Sequence, residues 1–323
     1  MILVTGGAGY IGSHTNKALN KAGYDTVVLD NLAKGYESFV KWGEFVNGDI
    51  GSYDDLKNLF NLYDIEGVIH FAAFSSVAES VEHPAMYLKN NYKNTLNLLK
   101  VMREFSIENF IFSSTAAVYG NPKKTPISEN HELKPINPYG QSKFIVEQAL
   151  EREKAKENFN YVSLRYFNAA GADFDLEIGE LHEPETHLIP LILDAAIGKR
   201  NSISIYGDDY NTPDGTCIRD YIHVNDLADA HIKSYEYLLK NKESNIFNLG
   251  NGNGFSVKEV IDTCKRITNV DFNVEIAPRR DGDPDTLIAD FKKINDTLNW
   301  QTEYDLDTIV ESAWNWHKKI NRD

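Results

Sequence analysis

A glycine-rich turn at the start of the chain constrains its fold more than any other feature. The apolar run Ile2 to Thr5 is followed at once by Gly6, Gly9 and Gly12, and a helical pattern, Tyr10 to Ala22, begins among these glycines. Glycines between a strand and a helix permit a tight turn and close approach of the backbone to a pyrophosphate, which the N–H groups at the helix N-terminus attract. This context predicts a phosphate-binding turn rather than an ordinary connection.

The alternation of strand and helix continues through the first half of the chain. Apolar, β-branched runs predict strands at Ile2 to Thr5, Thr26 to Asp30, Glu44 to Val46, Gly67 to Ala72, Asn109 to Ser113 and Tyr161 to Tyr166. Helical patterns lie between them at Tyr10 to Ala22, Asp54 to Tyr63, Pro84 to Phe105 and Pro138 to Glu157. Such alternation predicts an α/β fold of the Rossmann type, a doubly wound parallel sheet with helices on both faces.

After about Leu176 the pattern changes to turn-rich segments and scattered helices. The turns are at Gly207 to Gly215 and Gly250 to Gly254, and the helical patterns are at Leu188 to Ile197, Asp226 to Leu239, Ser256 to Ile267 and Asp307 to Lys318. A length of 323 residues also favours two domains. We predict a Rossmann domain that binds a dinucleotide over residues 1–175, to which segments near 215–250 return, and a smaller mixed α/β substrate domain over residues 176–323.

One predicted helix, Pro84 to Phe105, carries an apolar stripe at helical spacing. The stripe consists of Leu88, Tyr92, Leu96, Leu99 and Met102. Such a face is expected to pack against the sheet. The alternative is a helix at a subunit interface.

The composition argues against several classes of function. The chain has 33 Lys and Arg against 48 Asp and Glu, and the resulting charge of −15 argues against general binding to nucleic acid. A local group of arginines or a helix N-terminus still binds a small anion. No apolar run approaches the roughly 20 residues that cross a bilayer, and no export signal is recognisable, so we expect no membrane partner. Cys217 and Cys264 form no CxxC motif, which fits a reducing cytoplasm.

An acidic residue at the end of the second strand indicates which dinucleotide would bind. Asp30 lies 24 residues after Gly6. A carboxylate there accepts hydrogen bonds from ribose hydroxyls and repels a 2'-phosphate, so NAD is favoured over NADP. The alternative is a turn or capping aspartate. Asp49 and Ile50 follow the third strand, where such a fold flanks the adenine.

Tyr139 and Lys143, four residues apart on one face of a predicted helix, indicate acid–base chemistry. A tyrosine normally titrates near pH 10, so a neighbouring cation that favours phenolate makes it a better base at neutral pH. The spacing alone is common in surface pairs. Thr115, however, lies just past the strand Asn109 to Ser113, where doubly wound sheets bind ligands. Its hydroxyl is suited to hold a substrate hydroxyl and pass a proton toward Tyr139.

In their order along the chain, these motifs resemble the extended short-chain dehydrogenase/reductase superfamily, and within it the UDP-glucose 4-epimerase family. The matching segments are Thr5 to Ser13, Asp30-Asn31, Val68 to Ala72, Phe112 to Gly120, Pro138 to Lys143, Arg165 to Gly171, Arg219 to Val224 and Ala277 to Asp283. The resemblance implies an NAD-dependent isomerase that interconverts UDP-galactose and UDP-glucose by transient oxidation at sugar C4. It also implies a homodimer, formed through the helices Pro84 to Phe105 and Pro138 to Glu157.

The same resemblance implies roles for individual residues, with Tyr139 as the base, assisted by Thr115 and Lys143. The implied NAD contacts are Gly6, Gly9, Tyr10, Ile11, Gly12, Asp30, Asn31, Leu32, Ala33, Lys34, Gly35, Asp49, Ile50, Phe71, Ala72, Ala73, Ser75, Asn90, Thr115, Tyr139, Lys143 and Phe167. The implied UDP-sugar contacts are Thr115, Tyr139, Asn168, His187, Leu188, Ser204, Ile205, Tyr206, Arg219, Arg280, Asp283 and Leu287.

Several positions depart from related enzymes. Ser75 replaces a lysine that many relatives have near the cofactor, and Thr115 replaces a frequent serine while keeping the hydroxyl. Ala116 and Ala117 stand where the related 4,6-dehydratases have an acid pair, so dehydration is disfavoured. Leu287 borders the sugar pocket in the family, and its intermediate size leaves open activity on UDP-N-acetylhexosamines. A catalytically silent NAD-binding protein is the alternative from another class.

Two remaining motifs concern anions and metals. Arg219, Arg279 and Arg280 have planar guanidinium groups that suit a pyrophosphate, although a surface salt bridge is the alternative for each. The segment His182 to His187 combines histidines and glutamates but lacks HExxH spacing, and Pro184 interrupts a helix there. We therefore expect no metal.

Overall fold

The computed structural model describes residues 1–155, 158–280 and 282–321. Its strands are β1 Ile2–Thr5, β2 Thr26–Asp30, β3 Glu44–Asn47, β4 Gly67–His70, β5 Asn109–Thr115, β6 Asn160–Tyr166, β7 Asn168–Ala170, β8 Ser202–Tyr206, β9 Ile218–Arg219, β10 Tyr221–His223, β11 Asn245–Leu249, β12 Phe255–Ser256, β13 Asn273–Ala277 and β14 Thr286–Leu287. Its α-helices are α1 Tyr10–Lys21, α2 Tyr53–Leu62, α3 Val77–Glu82, α4 Pro84–Tyr87, α5 Asn94–Glu104, α6 Pro138–Lys154, α7 Leu188–Ala196, α8 Val224–Asn241, α9 Val257–Thr268, α10 Lys292–Leu298 and α11 Leu306–Ile320.

Seven strands form one parallel sheet in the order β11-β6-β5-β4-β1-β2-β3, which confirms the predicted Rossmann-type fold. The strand order reverses between β1 and β4, and a crevice at the carboxyl ends of these strands is where such sheets bind ligands. Two hydrophobic clusters of buried residues lie along this sheet, and a third packs α7, α9 and α11 against β8. Smaller sheets pair β7 with β10, β8 with β13, and β9 with both β12 and β14.

The observed strand ends differ from the predicted ones where the chain approaches the site. β4 ends at His70 instead of Ala72, because the N–H groups of Phe71 and Ala72 both donate to the Thr5 carbonyl and turn the chain away. β5 continues through Thr115, since its pairing with β6 extends to the last residue. Thr115 is therefore the end of the strand and not a residue beyond it.

The predicted helix Pro84 to Phe105 is interrupted. Leu88–Lys93 form a π-helix between α4 and α5, which shifts the side chains that follow it around the helix axis. Leu99 and Met102 are buried in the sheet-facing core, whereas Leu88 and Leu96 are 37% and 36% exposed. The single apolar stripe expected from the sequence is thus split between core and surface.

The remaining predicted helices are present with ends shifted by a few residues, while α3 and α10 were not predicted. Residues 156 and 157, the end of the predicted helix Pro138 to Glu157, lie outside the described residues. Among the helices that the structure describes, none is long and apolar enough to cross a membrane.

Candidate active site

The glycine turn places the N-terminus of α1 directly behind β1. A side chain at Gly12 would put its Cβ 2.2 Å from the Gly6 carbonyl oxygen, so only glycine permits this approach. Gly9 is the N-cap residue, and no side chain caps the helix there. The N–H groups of the first turn are therefore left to bind an anion. Tyr10 points elsewhere, because its hydroxyl donates to the Gly171 carbonyl at 2.6 Å.

Asp30 joins the glycine turn to the loop that follows β2. Its Oδ2 accepts from the Ala8 N–H at 3.0 Å, and its Oδ1 accepts from the Leu32 N–H at 2.8 Å. Burial raises the pKa of Asp30 above its usual value, against the lowering effect of these two bonds. Each carboxylate oxygen keeps a second lone pair for a ribose hydroxyl.

The rest of the expected adenosine side is built from short turns. Asn31 donates from Nδ2 to the Asp49 carboxylate at 3.2 Å, and its Oδ1 accepts from the Ala33 N–H at 3.0 Å. The Ile50 side chain is buried. Lys34 lies 3.5 Å from Glu79, and a Cβ on Gly35 would touch Ala8.

Asn91, which the sequence analysis missed, holds the loop after β4. Its Oδ1 accepts from the Phe74 N–H at 2.8 Å, and its Nδ2 donates to the Phe74 carbonyl at 2.9 Å and to the Ser142 hydroxyl at 3.0 Å. Asn90 donates to Asn91 at 3.1 Å. The π-helix positions both asparagines, so the loop containing the expected contacts Phe71, Ala72, Ala73 and Ser75 is anchored to α6.

Three consecutive residues at the end of β5 each hold a different residue of α6. The Ser113 carbonyl accepts from Lys143 Nζ at 2.7 Å. The Ser114 hydroxyl donates to Glu147 Oε1 at 2.6 Å. The Thr115 hydroxyl lies close enough to the Tyr139 phenol to lower its pKa. The structure thus brings together Thr115, Tyr139 and Lys143, the three residues that the sequence singled out. On α6, Tyr139, Lys143 and Glu147 follow one another at intervals of about one helical turn.

Burial controls the ionisation of this group. It lowers the pKa of Lys143 to about 7, although the charge of Glu147 partly opposes the shift. It raises the pKa of Tyr139 above its usual value, an effect that the hydrogen bond from Thr115 partly offsets. The Lys143 ammonium also lies 5.0 Å from the centre of the Phe112 ring. The lysine therefore changes protonation near neutral pH, and the tyrosine needs further positive charge to become phenolate.

Behind Lys143 lies a buried ion pair that the sequence analysis missed. Arg165 on β6 donates from Nη2 to Glu147 Oε2 at 2.6 Å and from Nε to Oε1 at 2.9 Å. Its Nη1 donates to the Tyr119 hydroxyl at 3.0 Å, and Tyr119 donates to Asn248 at 2.6 Å. Glu147 follows Lys143 by four residues, so the spacing that paired Tyr139 with Lys143 also pointed to Glu147.

The arginines expected at the UDP have different partners. Arg219 donates to Asp283 at 2.8 Å, so these two expected ligand contacts are paired with each other. The Arg280 guanidinium carbon lies 3.9 Å from the centre of the Tyr206 ring, and the Arg280 residue is exposed. Arg279 is held by Asp209 at 2.6 Å, as expected of a surface salt bridge.

The remaining expected contacts lie at or next to β7, β8, β14 and the start of α7. Phe167 and Leu287 pack together in a small cluster around Ala116. Asn168 donates from Nδ2 to the Asp220 carbonyl at 2.9 Å. Ile205 is buried against a partly buried Leu188, while Ser204 and Tyr206 flank Ile205 on β8.

His187, the N-cap residue of α7, belongs to a group that the sequence did not bring together. Its Nδ1 lies 3.0 Å from Glu180 Oε1 and 2.9 Å from Glu185 Oε1. His182 Nδ1 lies 3.5 Å from each of the same two carboxylates. The segment contains no helix, as expected, but the four side chains converge.

Similarity to known proteins extends over nearly the whole chain. Residues 2–250 match the model of the NAD dependent epimerase/dehydratase family. A UDP-glucose 4-epimerase of Rhizobium meliloti is 50% identical over 99% of this chain and 98% of its own length. The structure of UDP-glucose 4-epimerase from Brucella ovis in complex with NAD is similar, with a TM-score of 0.95 and 48% identity over 97% of each chain. That from Bifidobacterium longum with NAD+ and UDP has a TM-score of 0.93 and 38% identity over 99% of this chain and 98% of its own. The chain belongs to the NAD dependent epimerase/dehydratase family.

Proposed function

We propose that this chain interconverts UDP-galactose and UDP-glucose at sugar C4, with NAD as its cofactor. The observation that carries the proposal is the end of β5, where consecutive residues hold Tyr139, Lys143 and Glu147 of α6. The relative from Rhizobium meliloti, named UDP-glucose 4-epimerase, covers nearly the whole chain. Dehydration is disfavoured, since Ala116 and Ala117 provide no acid or base beside Thr115.

The glycine turn and Asp30 fit NAD. The uncapped start of α1 suits the pyrophosphate, and the Asp30 carboxylate suits the unmodified ribose and repels a 2'-phosphate. NAD, when bound, supplies the hydride acceptor for sugar C4 and a positive charge that favours the phenolate form of Tyr139.

Tyr139 is the general base in this mechanism. Its phenolate oxygen takes the proton of the sugar 4-hydroxyl and later returns a proton to the oxygen at C4. Thr115, beside the same phenol, orients the substrate hydroxyl. Lys143, held by the Ser113 carbonyl, stabilises the phenolate electrostatically when it is protonated, a form that the negative charge of the phenolate itself favours. The 4-keto sugar turns over after C4 has lost its hydride and before C4 regains it. Because the hydride is returned, no net oxidation occurs.

Arg219 and Arg280 are proposed to bind the UDP diphosphate. Arg219 already donates to Asp283, and a diphosphate would share its remaining N–H groups while Asp283 accepts from a ribose hydroxyl. Arg280 is exposed and stacked on Tyr206, which leaves its N–H edge free to turn toward a phosphate. Anchoring the remote UDP leaves the sugar ring free to rotate.

Product analysis tests the function directly. Purified protein given UDP-galactose should form UDP-glucose, detected by proton NMR, without a stoichiometric oxidant. A protein that contains NAD and forms no UDP-glucose would refute the proposal. We propose that Leu287, which packs in the cluster containing Ala116, borders the sugar. A matched reaction with UDP-N-acetylgalactosamine should then be slower, and Leu287→Gly should raise the acetylated rate relative to the plain one.

A homodimer is proposed through the helical surface around the π-helix. Val77, Val81, Met86, Leu88 and Leu96 are apolar side chains on α3, α4, the π-helix and α5 that are each at least 36% exposed. An apolar surface of this kind is typical of subunit interfaces. Light scattering should give twice the mass of one chain. The double variant Val81→Glu/Leu88→Glu should be a monomer.

Domain limits and location are also proposals. The Rossmann domain would include residues 1–175 and the strand β11, which pairs with β6, whereas α7, α9 and α11 form the core of the smaller domain. A cytoplasmic location is supported by two buried, free cysteines. Limited proteolysis and cell fractionation test these two statements.

A further inference from the structure

We propose that Glu180, His182, Glu185 and His187 form a zinc-binding site. The ligand atoms of these four side chains all lie within 4.8 Å of one another. Two imidazole nitrogens and two carboxylate oxygens are a donor set that Zn²⁺ takes in proteins. The proposal replaces the expectation of no metal, which rested on the missing HExxH helix. An irregular loop brings the four residues together instead.

The distances match a coordination polyhedron. A tetrahedral zinc site with bonds of about 2.1 Å places neighbouring ligand atoms about 3.4 Å apart. His182 Nδ1 is 3.5 Å from Glu180 Oε1 and 3.5 Å from Glu185 Oε2. His187 Nδ1 is 3.0 Å from Glu180 and 2.9 Å from Glu185. These four histidine–glutamate distances run from 2.9 to 3.5 Å, at and somewhat below the tetrahedral length, and Glu185 contributes Oε2 to one and Oε1 to the other, so either of its oxygens could be the ligand.

His182 separates the metal interpretation from a network of hydrogen bonds. The distances from His187 to the two glutamates suit either interpretation. Those from His182 are longer than a hydrogen bond of 2.7–3.2 Å. His182 Nδ1 is nevertheless buried, and the two carboxylates that pair with it lie too far away for well-formed hydrogen bonds. An ion between these groups would satisfy a buried nitrogen that faces two carboxylates beyond hydrogen-bond length.

The position of the site gives it a structural role. The His182 ring packs edge-on against Tyr10, the first residue of α1, at 6.3 Å between ring centres. His187 is the residue before α7. Zinc would therefore fix the start of α7 beside the glycine turn.

Metal binding is measured without any activity assay. The full chain is stripped with a chelator, given Zn²⁺ and analysed by mass spectrometry of the metal and by zinc X-ray absorption. We expect one Zn²⁺ per chain in a shell of nitrogen and oxygen without sulfur. His182→Asn and Glu180→Gln should each weaken binding at least tenfold, while Glu183→Gln, in the same exposed loop, should not.

Cobalt gives a second readout that needs no variant. Co²⁺ added to the stripped wild-type chain should give the intense visible absorption of four-coordinate cobalt, and Zn²⁺ should displace it. Absence of stoichiometric zinc, a six-coordinate cobalt spectrum, or binding unchanged in both variants would each overturn the proposal. The four residues would then be two imidazolium–carboxylate pairs.

Discussion

At the end of β5, Lys143 and Glu147 are 3% and 4% exposed, and each has a partner within the protein. In the substrate region, Arg280 is exposed and its guanidinium stacks on the Tyr206 ring. Charges in the first region are positioned before any ligand arrives, because a buried ion without a partner is costly. The second region keeps its charge in water and is free to rearrange. The reacting groups are thus preorganised, whereas substrate recognition is left adjustable.

Removing the phenol of Tyr139 should have the largest effect. Tyr139→Phe should lower kcat about 10²–10⁴-fold, because general acid–base catalysis contributes that much. NAD content and circular dichroism should be unchanged, since Thr115 is the one described side chain that lowers the pKa of this phenol and the substitution removes only its oxygen. Rates of UDP-galactose conversion measure the effect. Full activity in this variant would show that another group is the base.

The buried ion pair behind the site should matter more for stability than an exposed one. Glu147→Gln should lower the free energy of unfolding by about 3–5 kcal/mol, since Arg165 would stay buried without its counter-charge. Asp307→Asn, which breaks the exposed pair with Arg266, should change it little because water screens that pair. Urea unfolding compares the two variants. Equal decreases in the free energy of unfolding would show that the buried and the exposed ion pair contribute equally to stability.

The depressed pKa of Lys143 predicts how stability depends on pH. The folded protein holds this lysine neutral above about pH 7, whereas the unfolded chain keeps its proton up to about pH 10.5. Between these pH values the unfolded chain binds a proton that the folded protein does not. The contribution of Lys143 to the free energy of unfolding therefore rises as the pH increases from 7 to 10.5. The free energy of unfolding of cofactor-free wild type minus that of Lys143→Met should rise over this window and be flat below it. A constant difference would contradict the buried, neutral lysine.

The substrate region should show a smaller, binding-specific effect. Arg280→Ala should raise KM for UDP-galactose about 10–100-fold, the cost of lost charged hydrogen bonds, while kcat and stability stay nearly unchanged. Arg279→Ala is the matched control, since Arg279 already pairs with Asp209. A change in kcat as large as the change in KM would mean that Arg280 acts on the reacting sugar.

Features that depend on neighbouring residues in the chain were predictable. The glycine spacing predicted the turn and the start of α1, and the spacing of Tyr139 and Lys143 predicted a shared helix face. The π-helix was not predicted, because its extra residue per turn leaves no clear periodic signal. The division of the stripe from Leu88 to Met102 between core and surface was missed for the same reason.

The sequence by itself determined the sheet, the dinucleotide turn and the tyrosine–lysine pair, since each follows from local periodicity and residue type. Only the tertiary structure decided the partners of the charged groups. Glu147 meets Arg165 across a helix and a strand, and Arg219 meets Asp283 from 64 residues away. The convergence of the glutamates and histidines of residues 180–187 also depends on an irregular loop path. Partners of this kind are set by how distant segments pack, a property that spacing along the chain does not encode.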